Sequence, residues 1–137
     1  MTDRQTALRA LGVGHLFHAV DAAGPVRICL VMSVSEKTIL ARSVTTQEII
    51  EFDRRTGRAA HKRHGFDFDY VIASVEPLPR DIHEIMLSLD RNGRAFEEKL
   101  AADPEYESPP DKSILNGDQR RGLLFVAGFY RAHPLPV

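Results

Sequence analysis

The sequence contains one cysteine, Cys29, and no tryptophan. A single cysteine cannot form a disulfide within the chain, so we expect an apolar core rather than covalent cross-links to hold the fold. No unbroken apolar run exceeds five residues, as in Leu123–Ala127, whereas a membrane-spanning helix needs about 20. Residues 1–11 lack the apolar stretch of a signal peptide. We therefore expect a cytoplasmic protein with no membrane contact.

Catalytic signatures are missing as well. The sequence has no glycine-rich phosphate loop, no nucleophile elbow and no HExxH motif. Cys29 lies among apolar neighbours with no base beside it in the sequence, so we predict a packed side chain rather than a nucleophile. We accordingly assign no catalytic residue and no cofactor.

Metal binding receives little support from the spacing of the histidines and acids. Two pairs, His15 with His18 and His61 with His64, have ligand-like spacing, but zinc needs three or four ligands and residues three apart on a strand face opposite ways. Asp67 and Asp69 form a carboxylate pair that is typical of the solvated face of an edge strand. We predict no metal site.

The 137 residues are enough for one domain, residues 1–137, without cross-links. Charge is spread unevenly along it. Residues 1–64 carry ten Lys or Arg against six Asp or Glu, whereas residues 65–137 carry eight against thirteen. Either the two halves pack as surfaces of opposite sign, or the basic half faces a partner.

Alternating apolar residues predict a β-module over residues 15–76. Its strands are expected at 16–20, 26–34, 38–45, 49–53 and 66–75. Val26–Val34 is the clearest of these, and we expect it to pair antiparallel with Thr38–Thr45. The buried face of the first strand of this hairpin should carry Ile28, Leu30 and Met32.

Helical spacing predicts a second part over residues 81–133, interrupted by a polar loop at 103–113. Asp81 and Glu84 resemble a capping box, and Asn92-Gly93 is expected to kink the first helix or end it early. The last helix should begin at Asn116 or Asp118 and end near His133, before Pro134. Residues 1–13 are expected to form a short helix or a frayed tail.

These segments together predict an α+β fold: a small antiparallel β-meander or barrel of four or five strands, followed by two C-terminal helices. In the number and length of its strands, the β-module resembles an SH3-like barrel. The resemblance is architectural, covers about half of the chain and implies no activity.

The strongest local charge signal is a basic turn over residues 54–64, which contains no acid. Guanidinium groups match the oxygens of phosphate, so this turn is a candidate anion- or nucleic-acid-binding site. Its candidate residues are Arg54, Arg55, Arg58, Lys62 and Arg63. The alternative is a solvated loop whose charges pair with neighbouring acids. We expect serine at Arg54, Arg55 and Arg58 to leave the fold intact.

The last helix is apolar nearly all round. At 100° per residue, Leu123, Val126, Ala127 and Tyr130 lie on one side, and Phe125, Phe129 and Ala132 lie on the opposite side. If the first side packs on the sheet, the second forms an exposed patch that a second copy would cover. Phe125, Phe129 and Ala132 are therefore candidate homodimer residues. The alternative is that Leu8 and Leu11 fold back over the two rings.

The missing catalytic motifs and the apolar last helix favour a non-catalytic protein–protein binding or adaptor module, with itself and another protein as partners. A nucleic-acid-binding module that uses the basic turn is the second alternative. An enzyme of unrecognised type is the third.

Overall fold

A computed structural model describes residues 3–21, 26–59, 70–102 and 117–136. It confirms the α+β fold class, with five antiparallel strands in a curled half-barrel sheet and two helices after them. The elements are α1 (Arg4–Arg9), β1 (Leu16–Val20), β2 (Val26–Val34), β3 (Thr38–Ser43), β4 (Ile49–Asp53), β5 (Val71–Ser74), α2 (Arg80–Ala102) and α3 (Gly117–Ala132). No helix in the described ranges is both long and apolar enough to span a bilayer.

The strand order is β4-β3-β2-β1-β5, with every pair antiparallel. The predicted hairpin of β2 and β3 is confirmed, although β3 ends at Ser43. Ser35 closes its turn, since the Ser35 hydroxyl accepts hydrogen bonds from the backbone N–H groups of Lys37 and Thr38 at 3.3 and 3.0 Å. A polar residue in a two-strand connection thus satisfies backbone donors that the ladder leaves open.

The two edge strands, β4 and β5, are linked by a short extended segment, Gly57–Ala59. Isolated bridges join Phe52 to Ala59 and Arg58 to Val71. The N–H of Ile72 also donates to the carbonyl of Gly57 at 2.8 Å. These bonds occupy edge groups that are otherwise open to another chain, and they turn the sheet back on itself.

The first hydrophobic core lies on the inner face of the curled sheet, where α1 packs against it. The side chains that point inward come from all five strands, with Leu8 and Leu11 of the N-terminal segment packed among them. On β2 the fully buried side chains are Cys29 and Val31. The prediction that Ile28, Leu30 and Met32 form the buried face is therefore wrong, because these three are only partly buried. Other parts of the chain cover both faces of β2, so the alternation of apolar residues alone did not indicate which face is more deeply buried.

The outer face of the sheet carries the second core, which α2 and α3 cover. Leu16, Ile28 and Leu30 meet Met86 and Val126 there. Gly122 of α3 lets the two helices approach closely, since a Cβ at this position would lie 2.9 Å from Ile85 Cγ2. The sheet is thus sandwiched between the N-terminal helix and the C-terminal pair.

The predicted cap of α2 and its predicted early end at Asn92-Gly93 are both wrong. The helix begins at Arg80, so Asp81 lies inside the first turn instead of capping it. It also continues through Asn92-Gly93 to Ala102. Glycine costs helix stability relative to alanine, and the neighbouring Gln47 explains its presence here. A Cβ on Gly93 would lie only 2.8 to 3.0 Å from the Gln47 side chain.

A buried carboxylate ties α2 to the sheet. Asp90, only 1% exposed, accepts two hydrogen bonds from the Arg42 guanidinium, both at 2.8 Å. The Gln47 side-chain amide donates to the same carboxylate at 3.1 Å, and Arg94 lies 3.2 Å away. Burial by itself raises the pKa of Asp90, but the hydrogen bonds from Arg42 and Gln47 and the nearby positive charges outweigh it and lower the pKa.

Gln47 reaches Asp90 from a strained backbone. Its φ is +62°, a left-handed conformation that costs a non-glycine residue on the order of 1 kcal/mol or more. The side-chain amide also donates to the carbonyls of Ser43 and Val44 at 3.3 and 3.2 Å. Arg42 and Gln47, both bonded to the Asp90 carboxylate, thus hold the end of β3 and the β3–β4 turn against the middle of α2.

We predict that Gly93→Ala destabilises the protein by about 1–3 kcal/mol, because the added methyl displaces Gln47 from Asp90. Gly128→Ala is the matched control, since no atom lies within 4 Å of a Cβ built there. It should stabilise α3 by about 0.5–1 kcal/mol through helix propensity. Urea unfolding at low protein concentration measures both. Equal stabilisation by the two changes would show that Gly93 has no packing role.

We predict that Asp90→Ala costs about 3–5 kcal/mol, because it leaves the Arg42 guanidinium without its partner. The folded-state pKa is lowered, so the stability that Asp90 contributes is present above about pH 4 and is lost as the pH falls further. Unfolding curves from pH 7 to pH 2 should show this loss in the native chain and less of it in Asp90→Asn. Asp118→Asn, in an exposed pair with Arg121, should change little.

Candidate functional site

The basic turn begins where β4 ends. Arg55 and Arg58 are exposed, whereas Arg54 is partly buried. Lys62 and Arg63 lie outside the described residues, as do His61, His64, Asp67 and Asp69. The structure thus describes three of the five predicted anion-binding residues, and these three differ in how far they are buried.

Arg54 holds three separate segments together. Its guanidinium donates to the Ser35 carbonyl at 2.7 Å and to the carbonyls of Arg9 and Leu11 at 2.8 and 3.4 Å. Its backbone N–H donates to the Lys37 carbonyl at 2.9 Å. That serine at Arg54, Arg55 and Arg58 leaves the fold intact stays a prediction, but for Arg54 we expect a loss of stability, because its hydrogen bonds join the end of α1 to the β2–β3 turn.

A cleft of about 340 Å³ opens beside Arg54. Arg9, Lys37 and Arg55 line it together with Glu36 and Asp53. Arg9 and Lys37 are distant from the basic turn in the sequence, and no local pattern marks them as its neighbours. Only the folding of α1 and the β2–β3 turn onto Arg54 brings these cations together.

Asp53 shapes the turn that presents Arg55. One of its carboxylate oxygens accepts hydrogen bonds from the N–H groups of Arg55 and Thr56, at 2.8 and 3.0 Å. These bonds lower the pKa of Asp53. An aspartate at a strand end that bonds the next two N–H groups is a common way to start a turn, so this carboxylate has a structural role.

The outward face of α3 is the second candidate surface. Leu124 is 77% and Phe125 43% exposed, and Ala132 is also exposed. Phe129 packs partly against the second core. Of the three predicted dimer residues, Phe125 and Ala132 are exposed. Leu124 was not among them, although it is the most exposed large apolar side chain of the described residues.

The helical wheel placed most of α3 correctly, since Val126 and Tyr130 are buried while Phe125 and Ala132 are exposed. It misplaced Ala127, which is exposed, and Phe129, which packs partly against the second core. The buried residues of α3 are Gln119, Gly122, Val126 and Tyr130, and α3 packs mainly on α2 and also touches β5. The alternative in which the N-terminal segment covers Phe125 and Phe129 is wrong, because Leu8 and Leu11 are buried in the first core, inside the curl. The outward face of α3 is left without a cover from α1.

Three of the four histidines in the described residues have structural partners. Gly12 N–H donates to His15 Nδ1 at 3.0 Å, and His133 Nδ1 lies 2.8 Å from the Phe129 carbonyl. His18 stacks on Tyr130 with ring centroids 5.2 Å apart, and burial, with the nearby Arg131 charge, lowers its pKa. Within the described ranges, no three His, Cys, Asp or Glu residues are grouped as metal ligands.

Cys29 is free and fully buried. Burial raises the pKa of its thiol, so the reactive thiolate is disfavoured. It is a packed side chain of the first core, as predicted from its neighbours.

Comparison of the chain with protein-family models, with curated proteins and with solved structures gives no significant match. Functional inference therefore depends on the two surfaces described above.

We predict that Arg54→Ser destabilises the protein by about 1.5–3 kcal/mol, since charged hydrogen bonds to the backbone of two segments are lost. Arg55→Ser and Arg58→Ser serve as controls, because both side chains are exposed, and each should change stability by less than about 0.5 kcal/mol. Chemical denaturation of the three variants tests this. A loss for Arg58→Ser as large as for Arg54→Ser would contradict the assigned role of Arg54.

Proposed function

We propose that the protein is a non-catalytic protein-binding module whose contact surface is the outward face of α3. The observation that carries the proposal is the exposure of Leu124 and Phe125, side by side, on a helix whose other side is fixed in the second core. Soluble proteins rarely keep adjacent large apolar side chains in water without a use for them.

The aromatic rings on this face are held in place before any partner arrives. Phe125 stacks on Phe129 with centroids 5.6 Å apart, and Phe129 lies 4.5 Å from the His133 ring. Phe129 in turn contacts Tyr130 in the core. Rings that are already ordered lose little conformational entropy on binding, which is one reason why aromatic side chains dominate the energetics of interfaces.

We propose a second copy of the chain as the partner. In an antiparallel two-fold pairing centred between Leu124 and Phe125, each of these residues meets the other from the second copy. The same register places Asp118 beside Arg131 of the second copy, so opposite charges meet at both ends. It places Arg121 over Gly128, where the helix surface is open.

The size of this face favours reversible association. A helix of 16 residues is about 24 Å long, so one helix face covers well under the roughly 800 Å² per partner of a standard stable interface. A dimer that depends on α3 should therefore dissociate on dilution, as suits a module that exchanges partners.

We predict that the native chain forms a dimer at high micromolar concentration and that Leu124→Asp with Phe125→Asp keeps it monomeric, because the new charges cannot be buried at the interface. Light scattering on a sizing column measures the mass, and circular dichroism checks the fold. The matched control is Val13→Asp with Ile49→Asp, which alters two other exposed apolar residues and should leave the dimer intact. A native chain that is monomeric at these concentrations would refute the second copy as partner.

A nucleic-acid-binding module is our second candidate. The exposure of Arg55 and Arg58 at the start of the basic turn favours it, since phosphate contacts need free cationic side chains.

The SH3-like architecture is likewise a proposal. The bridges that residues 57–59 make to both β4 and β5 support it.

A further inference from the structure

We propose that the cleft beside Arg54 is a binding site for a phosphate group, with Arg9, Lys37 and Arg55 as its ligating side chains. Two of these residues lie outside the basic turn. The site is separate from the α3 face and does not require that the protein bind nucleic acid.

Hydrogen bonds to backbone groups position the residues around the cleft and leave their cationic groups available to a ligand. Arg54 binds the carbonyls of Arg9 and Lys37, and Asp53 binds the N–H of Arg55. The backbone of each of these three residues is therefore fixed beside the cleft that the residue lines. Fixing the backbone in advance lowers the entropy that a ligand must overcome when it orders the side chains.

The charge in the cleft is unbalanced. Four cations line it against two carboxylates, Glu36 and Asp53, and within the described residues no ion pair joins a lining cation to an acid. Arg54 donates only to neutral carbonyls, and its Nε is buried without a hydrogen-bond partner. A partly buried guanidinium that donates only to neutral carbonyls keeps its positive charge, which attracts an anion.

Phosphate fits this cleft better than a carboxylate does. Three cationic side chains are available besides Arg54, and a phosphate group offers oxygens on several sides with up to two negative charges. Two guanidinium forks and one ammonium match that arrangement, and a volume of about 340 Å³ admits such a group. The group has two possible sources, a small phosphate-containing molecule or the backbone of a nucleic acid.

Calorimetric titration of the full chain with inorganic phosphate, and then with a random-sequence oligonucleotide at low salt, tests the proposal. The test variant is Lys37→Ser with Arg55→Ser. The control, Arg80→Ser with Arg91→Ser, removes the same charge from two exposed arginines that neither line the cleft nor belong to the basic turn. Thermal unfolding verifies that both variants are folded.

We expect the native chain and the control to bind phosphate, and the test variant to bind at least about tenfold more weakly for each side chain removed. Oligonucleotide binding that the test variant loses and the control keeps would support the same site with nucleic acid as the source. Phosphate binding without oligonucleotide binding would support the site and remove the nucleic-acid candidate. Binding of neither probe by the native chain, or equal weakening in both variants, would overturn the proposal.

Discussion

The paired charges of Arg42 and Asp90 are the constraint on which the helical layer depends. The carboxylate is fully buried and receives both arms of the Arg42 guanidinium, so a packing of α2 that moved Asp90 away from Arg42 but kept it buried would leave an unpaired charge in an apolar interior. This pair fixes the middle of α2 over β3. Ile85 and Met86, on the same helix, then form the surface on which Gly122 of α3 rests. The position of α3, and hence the direction of its exposed face, follows from that pair.

Unfavourable local conformations near the Arg42–Asp90 pair indicate how strongly the hydrogen bonding around Asp90 is favoured. Gln47 adopts a left-handed backbone conformation, and Gly93 leaves room for its side chain. Both features are unfavourable locally, the first sterically and the second through helix propensity. They are tolerated because the Gln47 amide completes the hydrogen bonding of a carboxylate that has no access to water.

Arg54 joins separate segments of the chain on the other side of the sheet, as the Arg42–Asp90 pair does over β3, but its hydrogen-bond acceptors are neutral carbonyls. Three carbonyls accept hydrogen bonds from the two terminal NH2 groups of its guanidinium without cancelling its charge. A structural arginine paired with a carboxylate would make the surrounding surface neutral. The difference explains how one residue can tie α1 to the β2–β3 turn and still make the cleft beside it attractive to an anion.

The sequence by itself determined the elements. Alternation predicted β1, β2 and β4 at their observed bounds and β3 to within two residues, because local patterning reflects which side chains leave water. The apolar run and the prolines after it predicted a last helix from Asn116 or Asp118 to near His133, within one residue of the observed Gly117–Ala132. Tertiary structure decided what no local pattern contains. It decided which face of β2 is more deeply buried, because other parts of the chain cover both faces. It decided that α2 continues through Gly93, because the Gln47 side chain that fills the space beside this glycine comes from a distant turn. It also decided which side of α3 is exposed, because the other side packs on α2. It also gathered Arg9 and Lys37 around Arg54, because residues far apart in the chain become neighbours only when the hydrogen bonds between their segments form.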